Sequence, residues 1–226
     1  MNKCLMNRLK SLYKMLVTLN DWDLNNCFSL MKEYEISRQS SKIVDIGCGF
    51  GRLLKPLKDK GFLQSIGVEI NAKTVAANNK NGLSTMTPQD FKKTTDKFDL
   101  MLMFHIIEHF NYNDCLKFID DNLGRVKTGG YLIIASPLLT PWFYNDMDHI
   151  KPYNPWAIQM VFENKNAQVQ EYSKNKMRLL KVKFRKSPRM SITGNRCLYL
   201  ISVIIYKVSF GMIGKNDAWM GIFVKE

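Results

Sequence analysis

The sequence predicts an α/β fold, namely a doubly wound, mostly parallel sheet. Three observations predict it. Short apolar runs alternate with amphipathic segments between residues 42 and 137, a glycine-rich turn separates the first run from the first helix, and 46% of the 226 residues are hydrophobic. Strands and helices that alternate at this spacing pair in parallel through right-handed crossovers, and a chain of this length can bury a sizeable core.

Between residues 42 and 137 the pattern predicts strands separated by helices. The segment Phe98–Phe104 is almost entirely apolar, as expected of a strand that is buried on both faces. Two consecutive glycines, Gly129 and Gly130, predict a turn before the next strand. The strands are expected at residues 42–46, 65–69, 83–86, 98–104 and 131–136, and the helices at 52–60, 72–81 and 112–126.

The two flanks of this region have other patterns. Leucines recur at spacings of three and four between residues 4 and 19, which predicts an amphipathic helix within an N-terminal helical cap at residues 1–40. After an aromatic loop we expect a helix at 155–165, a strand at 177–186, a helix at 195–210 and a last strand at 218–224. Cationic and apolar residues alternate in the 177–186 strand, which predicts an outer cationic stripe of Lys181, Lys183 and Arg185.

The formal net charge of +13 lies mostly in the last third of the chain. Residues 151–226 contain 14 basic and 4 acidic side chains, whereas residues 1–150 contain 19 basic and 16 acidic ones. Such a field favours an anionic partner, which could be nucleic acid, an anionic membrane surface or a phosphorylated substrate.

Cysteine usage and hydropathy indicate the location. Five scattered cysteines without a C-x-x-C pair argue against a disulfide framework and a structural zinc site, and they fit a reducing cytoplasm. Basic residues interrupt the first 20 residues, unlike a secretory signal, and Lys207 interrupts the most apolar segment, residues 197–214, unlike a membrane span. We expect a cytoplasmic protein with peripheral contact at the inner membrane surface.

A glycine turn follows the first predicted strand. It consists of Gly47, Gly49 and Gly51, directly after Asp45 and Ile46. Glycines let the backbone turn sharply and admit a ligand within contact distance, at the edge where open α/β sheets bind ligands. A dinucleotide-dependent dehydrogenase would have G-x-G-x-x-G at this place, so the spacing G-x-G-x-G argues against that class.

The segments VDIGCGFG and GVEIN resemble the class I S-adenosylmethionine-dependent methyltransferases. The resemblance continues in PQDF, FDL, HIIEH and GGY, over roughly residues 40–137, and the final DAWMGIF resembles the family's last, antiparallel strand. It implies a Rossmann-like sheet of seven strands, S-adenosylmethionine as the cofactor and a methyltransferase domain at residues 41–226. Within that domain it implies a cofactor-binding half at 41–137 and a basic substrate-side half at 138–226.

The resemblance also implies the cofactor contacts. Asp45 would engage the amino group of the methionine moiety, and the glycine turn would make room for that moiety and the ribose. Glu69, after the second strand, would accept hydrogen bonds from both ribose hydroxyls. Asp90 and Phe91 would contact the amino group and the ring face of adenine.

Two histidines follow the fourth predicted strand in an H-x-x-E-H segment, His105 to His109. The segment matches a zinc-peptidase motif, but that motif requires a helix with both histidines on one face. It is closer to the E-x-x-E-H of ubiquinone-biosynthesis O-methyltransferases, which binds a divalent cation, so the resemblance implies His105, Glu108 and His109 as candidate metal ligands. Nitrogen ligands suit a transition metal better than magnesium. In the wider family the E-H pair serves packing and pocket shape, and this alternative stays open.

A general base is expected near the ends of the fourth and fifth strands. Methyl transfer from a sulfonium is an in-line displacement, so the leaving thioether needs no acid, whereas a hydroxyl acceptor must lose its proton. Asp148-His149 followed by Lys151-Pro-Tyr153 resembles the D-H-x-R-x-Y-x-P segment of small-molecule members, with lysine in place of arginine. His149 is therefore the first candidate base and His105 the second, because imidazole changes its charge near neutral pH.

These features predict an S-adenosylmethionine-dependent O-methyltransferase with a small, lipid-linked or glycan-linked acceptor, such as a quinone precursor or a sugar. The two apolar helices and the basic strand would hold it on an anionic membrane surface. A catalytically silent cofactor-binding subunit is one alternative. The other is an RNA methyltransferase, whose contacts would be Lys181, Lys183, Arg185, Lys186 and Arg189. No N/D-P-P-Y/F motif follows the fourth strand and no cysteine has a Pro-Cys or Thr-Cys context, which argues against RNA.

Overall fold

A computed structural model of the chain describes residues 21–163, 171–188 and 195–226. Its strands are β1 (Ile43–Ile46), β2 (Ser65–Val68), β3 (Thr85–Met86), β4 (Phe98–Phe104), β5 (Val126–Pro137), β6 (Met177–Ser187) and β7 (Lys215–Lys225). They form a seven-stranded sheet in the order β3-β2-β1-β4-β5-β7-β6. The first five strands pair in parallel, and β7 is antiparallel to both β5 and β6. The predicted α/β fold with an antiparallel last strand is confirmed.

Helices connect the strands. They are α1 (Trp22–Glu33), α2 (Leu54–Asp59), α3 (Ala72–Lys80), α4 (Pro88–Lys93), α5 (Tyr112–Leu123), α6 (Pro155–Glu163) and α7 (Arg196–Val208). The sequence pattern does not predict α1 and α4 as separate helices, and the helix predicted at residues 4–19 lies outside the described residues. In the described part of the chain, no helix is long and apolar enough to cross a membrane.

The sheet has a hydrophobic core on each face, because successive strand residues point to opposite sides. In β4, Met101 and Met103 belong to the core formed with α5 and α6, whereas Leu100 and Leu102 belong to the core formed with α1 and α2. All four side chains are completely buried. This two-sided burial explains why β4 has an almost continuous apolar sequence.

The prediction of a turn at Gly129 and Gly130 is wrong, because both glycines lie within β5. Pairing with β4 shifts register in this region, between the partners of Phe98 and Leu100. Gly129 has a φ of +76°, which a residue with a side chain rarely adopts. The glycines therefore permit an irregularity in a strand that starts at Val126, earlier than predicted.

The cationic stripe predicted on β6 lies against α1 and is not an open outer face. Lys181 forms an ion pair with Glu33, and Lys183 Nζ donates to Ser29 Oγ at 2.9 Å. Arg185 Nε donates to Asp217 Oδ1 at 2.8 Å. The sequence pattern predicts an outer stripe because it does not predict α1, which supplies two of these partners.

Candidate functional site

The carboxyl ends of β1, β2 and β4 meet at one edge of the sheet, where the strand order reverses. β1 pairs with β2 on one side and with β4 on the other. The glycine turn begins here, and the amides of Gly47 and Cys48 donate to Val68 O at 2.8 and 3.1 Å. Ligands of open α/β folds bind at such a point.

Glycine is needed at the three positions of the turn for different physical reasons. All three have positive φ, from +51° to +77°. A Cβ on Gly47 would lie 2.6 Å from Ile106 Cδ1, and a Cβ on Gly51 would lie 2.4 Å from Leu83 Cδ1. Apart from its two chain neighbours, no described residue lies within 4 Å of the place where a Cβ of Gly49 would be. The outer two glycines allow close packing, whereas the middle one leaves open space above the turn.

Asp45 lies beneath this turn as a buried carboxylate. Its residue surface is 2% exposed, and no described residue donates a hydrogen bond to its side chain. Burial raises the pKa of Asp45 to about 8, although the positive charge of Arg52 opposes the shift. A carboxylate in these surroundings would be stabilised by a cationic ligand, which fits the ammonium group predicted to bind there.

Glu69 is held in place at the end of β2. Its Oε2 accepts from the amide of Gly49 at 3.0 Å, and its Oε1 accepts from the amide of Asn71 at 2.8 Å. Each oxygen accepts one bond in this arrangement and has a lone pair left for a ligand hydroxyl. Asn78, a buried residue of α3 that sequence reasoning missed, donates to Gly49 O at 2.8 Å and fixes the turn from the other side.

Asp90 and Phe91 are neighbours in α4, but their surroundings differ. Asp90 is exposed and binds Lys93 and Thr87, and these hydrogen bonds hold its pKa below the ordinary value. The Phe91 ring is 6% exposed and packs near Phe98 in the core. The Phe91 amide donates to Thr87 O. The ring and the amide of Phe91 are thus both used within the protein, and only Asp90 is accessible for the predicted adenine contact.

His105 directly follows β4 and forms ion pairs with two buried carboxylates. Its Nε2 lies 3.0 Å from Asp23 Oδ2, and its Nδ1 lies 3.5 Å from Glu108 Oε1. Burial alone would lower the pKa of His105, but the bonds with Asp23 and Glu108 outweigh it and raise the pKa to about 9. Contacts with two carboxylates favour the protonated form of the imidazole, so the geometry supports His149 over His105, the second candidate, as the general base. His105 also has a φ of +54°, which is uncommon for a residue with a side chain.

Asp23 of α1 is the centre of a charge network and another residue that sequence reasoning missed. Arg52 Nη2 donates to its Oδ2 at 3.0 Å, and Arg185 Nη1 lies 3.8 Å from its Oδ1. Burial alone would raise the pKa of Asp23, but the bond with His105 and the nearby arginine charges outweigh it and lower the pKa to about 2. The Asp23 side of α1 is thus bound to the glycine turn, to β4 and to β6. The capping residue Asp21 and the apolar spacing after it are the only sequence signals for this helix.

The aromatic loop at residues 138–153 brings His149 to the same edge. Trp219 Nε1 donates to Tyr153 O at 2.7 Å, and the Ile150 amide donates to Glu108 O at 2.8 Å. His149 Nδ1 lies 2.8 Å from Phe143 O. Because a carbonyl only accepts, Nδ1 carries the hydrogen, and Nε2 lies 3.7 Å from Asp146 Oδ2.

Glu108, His109 and His149 converge behind that loop. One ligand atom from each lies within 4.8 Å of the others. His109 Nδ1 bonds to Asp148 O at 2.9 Å, as His149 Nδ1 does to Phe143 O. Glu108 is fully buried, and its Oε1 accepts no hydrogen bond from the described residues. Imidazoles oriented by carbonyls together with a buried carboxylate oxygen fit a divalent transition metal. The converging set contains His149, whereas the predicted ligand His105 points to Asp23.

A polar cleft of about 830 Å³ adjoins the glycine turn. We call it the α1–α7 cleft, because its wall includes Asp23 of α1 and Tyr206 of α7. Arg52 belongs to this wall and directly follows the glycine turn, and Arg185 of β6 closes another side. Asp23 Oδ1 is buried there and accepts no hydrogen bond within the described part of the chain. The cleft offers both cationic donors and a carboxylate acceptor to a polar ligand.

Residues 25–179 match a family model described as a methyltransferase domain. The chain is 28% identical over 118 residues to the mitochondrial ubiquinone biosynthesis O-methyltransferase of Candida albicans. The aligned region covers 47% of this chain and 36% of that protein. It is 32% identical over 108 residues to the ubiquinone biosynthesis O-methyltransferase of Nitrobacter winogradskyi, which covers 45% and 40%. The chain thus matches about two fifths of the length of these curated relatives.

Two solved structures have a similar fold. An S-adenosylmethionine-dependent methyltransferase from Archaeoglobus fulgidus superposes with a TM-score of 0.56 at 21% identity, over 88% of this chain and 92% of that one. Magnesium protoporphyrin IX methyltransferase from Synechocystis, with bound S-adenosylmethionine, superposes with a TM-score of 0.59 at 11% identity, over 95% and 89%. At these identities the similarity shows the fold.

Proposed function

Because this chain belongs to the methyltransferase-domain family of class I S-adenosylmethionine-dependent enzymes, we propose that it methylates a hydroxyl oxygen of a small, lipid-linked or glycan-linked acceptor. The observation that carries the proposal is the combination at one sheet edge of buried Asp45, to which no described residue donates, with an oriented imidazole, His149. The first suits a cationic cofactor, and the second suits removal of a proton from a hydroxyl. The similarity to ubiquinone biosynthesis O-methyltransferases supports oxygen as the acceptor atom.

The protein's part in cofactor binding is electrostatic and geometric. The Asp45 carboxylate would bind the ammonium group, and the two oxygens of Glu69 would accept from the ribose hydroxyls. The open space above Gly49 would admit the ligand at contact distance. S-adenosylmethionine supplies, when bound, an electrophilic methyl group on a sulfonium that leaves without acid assistance.

The acceptor would bind in the α1–α7 cleft, with its reacting hydroxyl directed to the sheet edge. His149 Nε2 would take the hydroxyl proton, because its Nδ1 is committed to Phe143 O. His105, with its raised pKa and its contacts to two carboxylates, would instead hold Asp23 and, through Asp23, Arg52 in place at the cleft. Alignment of the acceptor oxygen with the methyl group can supply several kcal/mol, on the order of 7 in favourable cases.

A divalent cation is a second proposal for the same edge. Buried Glu108 supports it, since its Oε1 accepts no hydrogen bond from the described residues and has only an ion pair at 3.5 Å with His105 Nδ1, so a cation would stabilise it further. Glu108, His109 and His149 would hold the ion, which when bound would make the acceptor hydroxyl more acidic. In that case His149 would act as a ligand and not as the base.

Histidine variants separate the two proposals. With radiolabelled S-adenosylmethionine and lipid, glycan and RNA fractions as acceptors, the His149→Ala change should lower methyl transfer by about 100-fold while cofactor affinity stays within about twofold. If His149 acts as the base, His109→Ala and chelation leave most activity. If it is a metal ligand, His109→Ala, Glu108→Gln and chelation all abolish activity, and manganese or zinc restores the chelated wild type.

The labelled fraction tests the remaining alternatives. Label in RNA alone would overturn the small-acceptor proposal. No label in any fraction, despite tight cofactor binding, would support a catalytically silent subunit. Three of the five cations proposed for RNA, Lys181, Lys183 and Arg185, already bind α1 or Asp217, which supports a small acceptor over RNA.

A further inference from the structure

α7 has an exposed apolar face that no other described element covers. Ser202 and Val203 are buried, whereas the large apolar side chains on the other side are 43% to 73% exposed. We call this set the outer α7 face, and it consists of Leu198, Ile201, Ile204, Ile205 and Val208. Its members recur at helical spacing, so they form one continuous stripe. Soluble proteins rarely expose a contiguous apolar surface of this kind without a partner for it.

The segment after α7 extends this surface. Phe210 is 93% exposed, Met212 71% and Ile213 51%. Phe210 also has a φ of +51°, a conformation that is unfavourable for a bulky residue. An aromatic ring that is fully exposed and held in an unfavourable backbone conformation contributes little to folding, which indicates selection for a contact outside the chain.

The charges around this surface are positive. Lys186, Lys207 and Lys215 are exposed, and Lys186 Nζ donates to Met212 O at 2.9 Å, directly beside the apolar segment. The neighbouring acid, Asp217, is neutralised by Arg185. A second copy of this chain would bring a face of the same sign, so charge opposes self-association here. An anionic bilayer offers apolar interior and negative headgroups together.

We propose that the outer α7 face and residues 210–213 insert into the interfacial region of an anionic membrane. α7 has 13 residues and is about 20 Å long, too short to span a bilayer of about 30 Å, so it lies parallel to the surface. The apolar side chains enter the boundary between headgroups and acyl chains, and the lysines remain at the headgroups. Of the β6 cations, Lys186 belongs to this surface, whereas Lys181, Lys183 and Arg185 bind α1 or Asp217.

If the proposed function holds, this orientation also indicates the chemical class of the acceptor. Tyr206 and Lys207 of α7 line the α1–α7 cleft, so the same helix contributes to the membrane face and to the cleft wall. A membrane-docked protein therefore has its cleft beside the headgroups. The acceptor class that fits is a lipid whose hydroxyl lies in its polar head, with the apolar tail left in the bilayer.

Vesicle flotation of the full chain tests the surface without any turnover. The protein should float with vesicles of phosphatidylcholine and phosphatidylglycerol about tenfold more than with phosphatidylcholine alone, and about 0.5 M salt should reduce the difference. Ile201→Asp with Ile205→Asp should abolish flotation, and Lys215→Glu should weaken it. Leu63→Asp, at a 75% exposed apolar residue outside α7, is the matched control and should float as wild type does.

If the double variant folds poorly, Phe210→Asn provides a second test of the proposal. Asparagine tolerates positive φ better than phenylalanine, so the melting temperature should stay the same or rise while flotation falls. Equal flotation of Phe210→Asn, the double variant and wild type would overturn the proposal. So would a wild-type dimer in sedimentation that the double variant converts to a monomer, since a second copy would then cover the face. Flotation without methyl transfer would contradict only the proposed function.

Discussion

At the residue scale, Asp45 combines burial with a carboxyl group that accepts no hydrogen bond from the described part of the chain. Asp45→Asn keeps the shape of the side chain but removes the charge that would bind an ammonium group. We expect S-adenosylhomocysteine affinity, measured by calorimetry, to fall by about 30-fold. Because the pKa of Asp45 in the free protein is about 8, wild-type affinity should also strengthen by up to tenfold per unit between about pH 6 and 8. Asp45→Asn should lose this dependence.

Asp96→Asn is the control for the charge change. Asp96 is an exposed carboxylate that pairs with Lys42, just before β1, and its loss should not change cofactor affinity. Equal affinities of Asp45→Asn and wild type across this pH range would remove Asp45 from the cofactor site.

The residues that sequence could predict are those fixed by local chain geometry. Asp45 and the glycine turn are adjacent in sequence, and Glu69 ends the neighbouring strand, so a strand–turn–helix pattern is enough to bring them together. Asp23 meets His105 across 82 residues, and His149 reaches Glu108 through a loop with no regular pattern. Such contacts depend on tertiary packing, which no spacing in the sequence reports. For this reason the sequence predicts His105 as the third member of the candidate metal set, whereas the structure has His149 there.

At the element scale, α3 supports the glycine turn through one buried amide. Asn78→Ala would remove the bond to Gly49 O and leave a cavity in contact with the turn. We expect a loss of unfolding free energy of about 1–2 kcal/mol and about tenfold weaker cofactor binding. Urea unfolding and calorimetry measure the two effects.

Asn79 is a control on the same helix. Its side chain bonds with the backbone of Thr85 in β3 and not with the turn. Asn79→Ala should therefore cost similar stability but leave the affinity of the folded protein unchanged. If both variants weaken cofactor binding equally, general loosening of the domain explains the effect and the specific support of the turn is refuted.

The elements that the sequence predicts well are those whose pattern reflects burial alone. β4 and the second half of β5, residues 132–136, are mostly apolar because both faces are covered. The pattern fails where a partner decides the outcome. Alternation in β6 correctly predicts a strand, but it cannot show that α1 covers the cationic side. The pair Gly129 and Gly130 permits either a turn or an irregular strand, and pairing with β4 decides between them.

At the scale of the whole molecule, the Asp23 network joins distant parts of the chain. α1 precedes the sheet and β6 lies near the end of the chain, yet Arg52, His105 and Arg185 all bind the same carboxylate. These contacts connect the glycine turn, the end of β4 and the cleft wall. The stability of the molecule and the shape of its cleft therefore depend on the same buried charges.

Those charges predict a skewed pH dependence of stability for the cofactor-free protein. Asp23, with a pKa lowered from 3.8 to about 2, stabilises the fold above pH 3.8 and loses this contribution as the pH falls through 2. Asp45, with a pKa raised from 3.8 to about 8, acts in the opposite sense, because its buried form is favoured only while protonated. His105, raised from 6.5 to about 9, stabilises fully below 6.5 and loses this contribution as the pH rises through 9.

The three contributions together place the maximum of the unfolding free energy at about pH 4. Above it the free energy falls by roughly 1.4 kcal/mol per pH unit for each group that is protonated in the folded chain and deprotonated in the unfolded one. Urea unfolding between about pH 4 and 9 measures this slope. Asp45→Asn should flatten the decline between about pH 4 and 8, and saturating S-adenosylhomocysteine should do the same in wild type, because the bound ammonium group lowers the pKa of Asp45. A wild-type curve that rises toward neutral pH would show that Asp45 is already neutralised by a donor within the protein, and cofactor binding would then need another source of charge attraction.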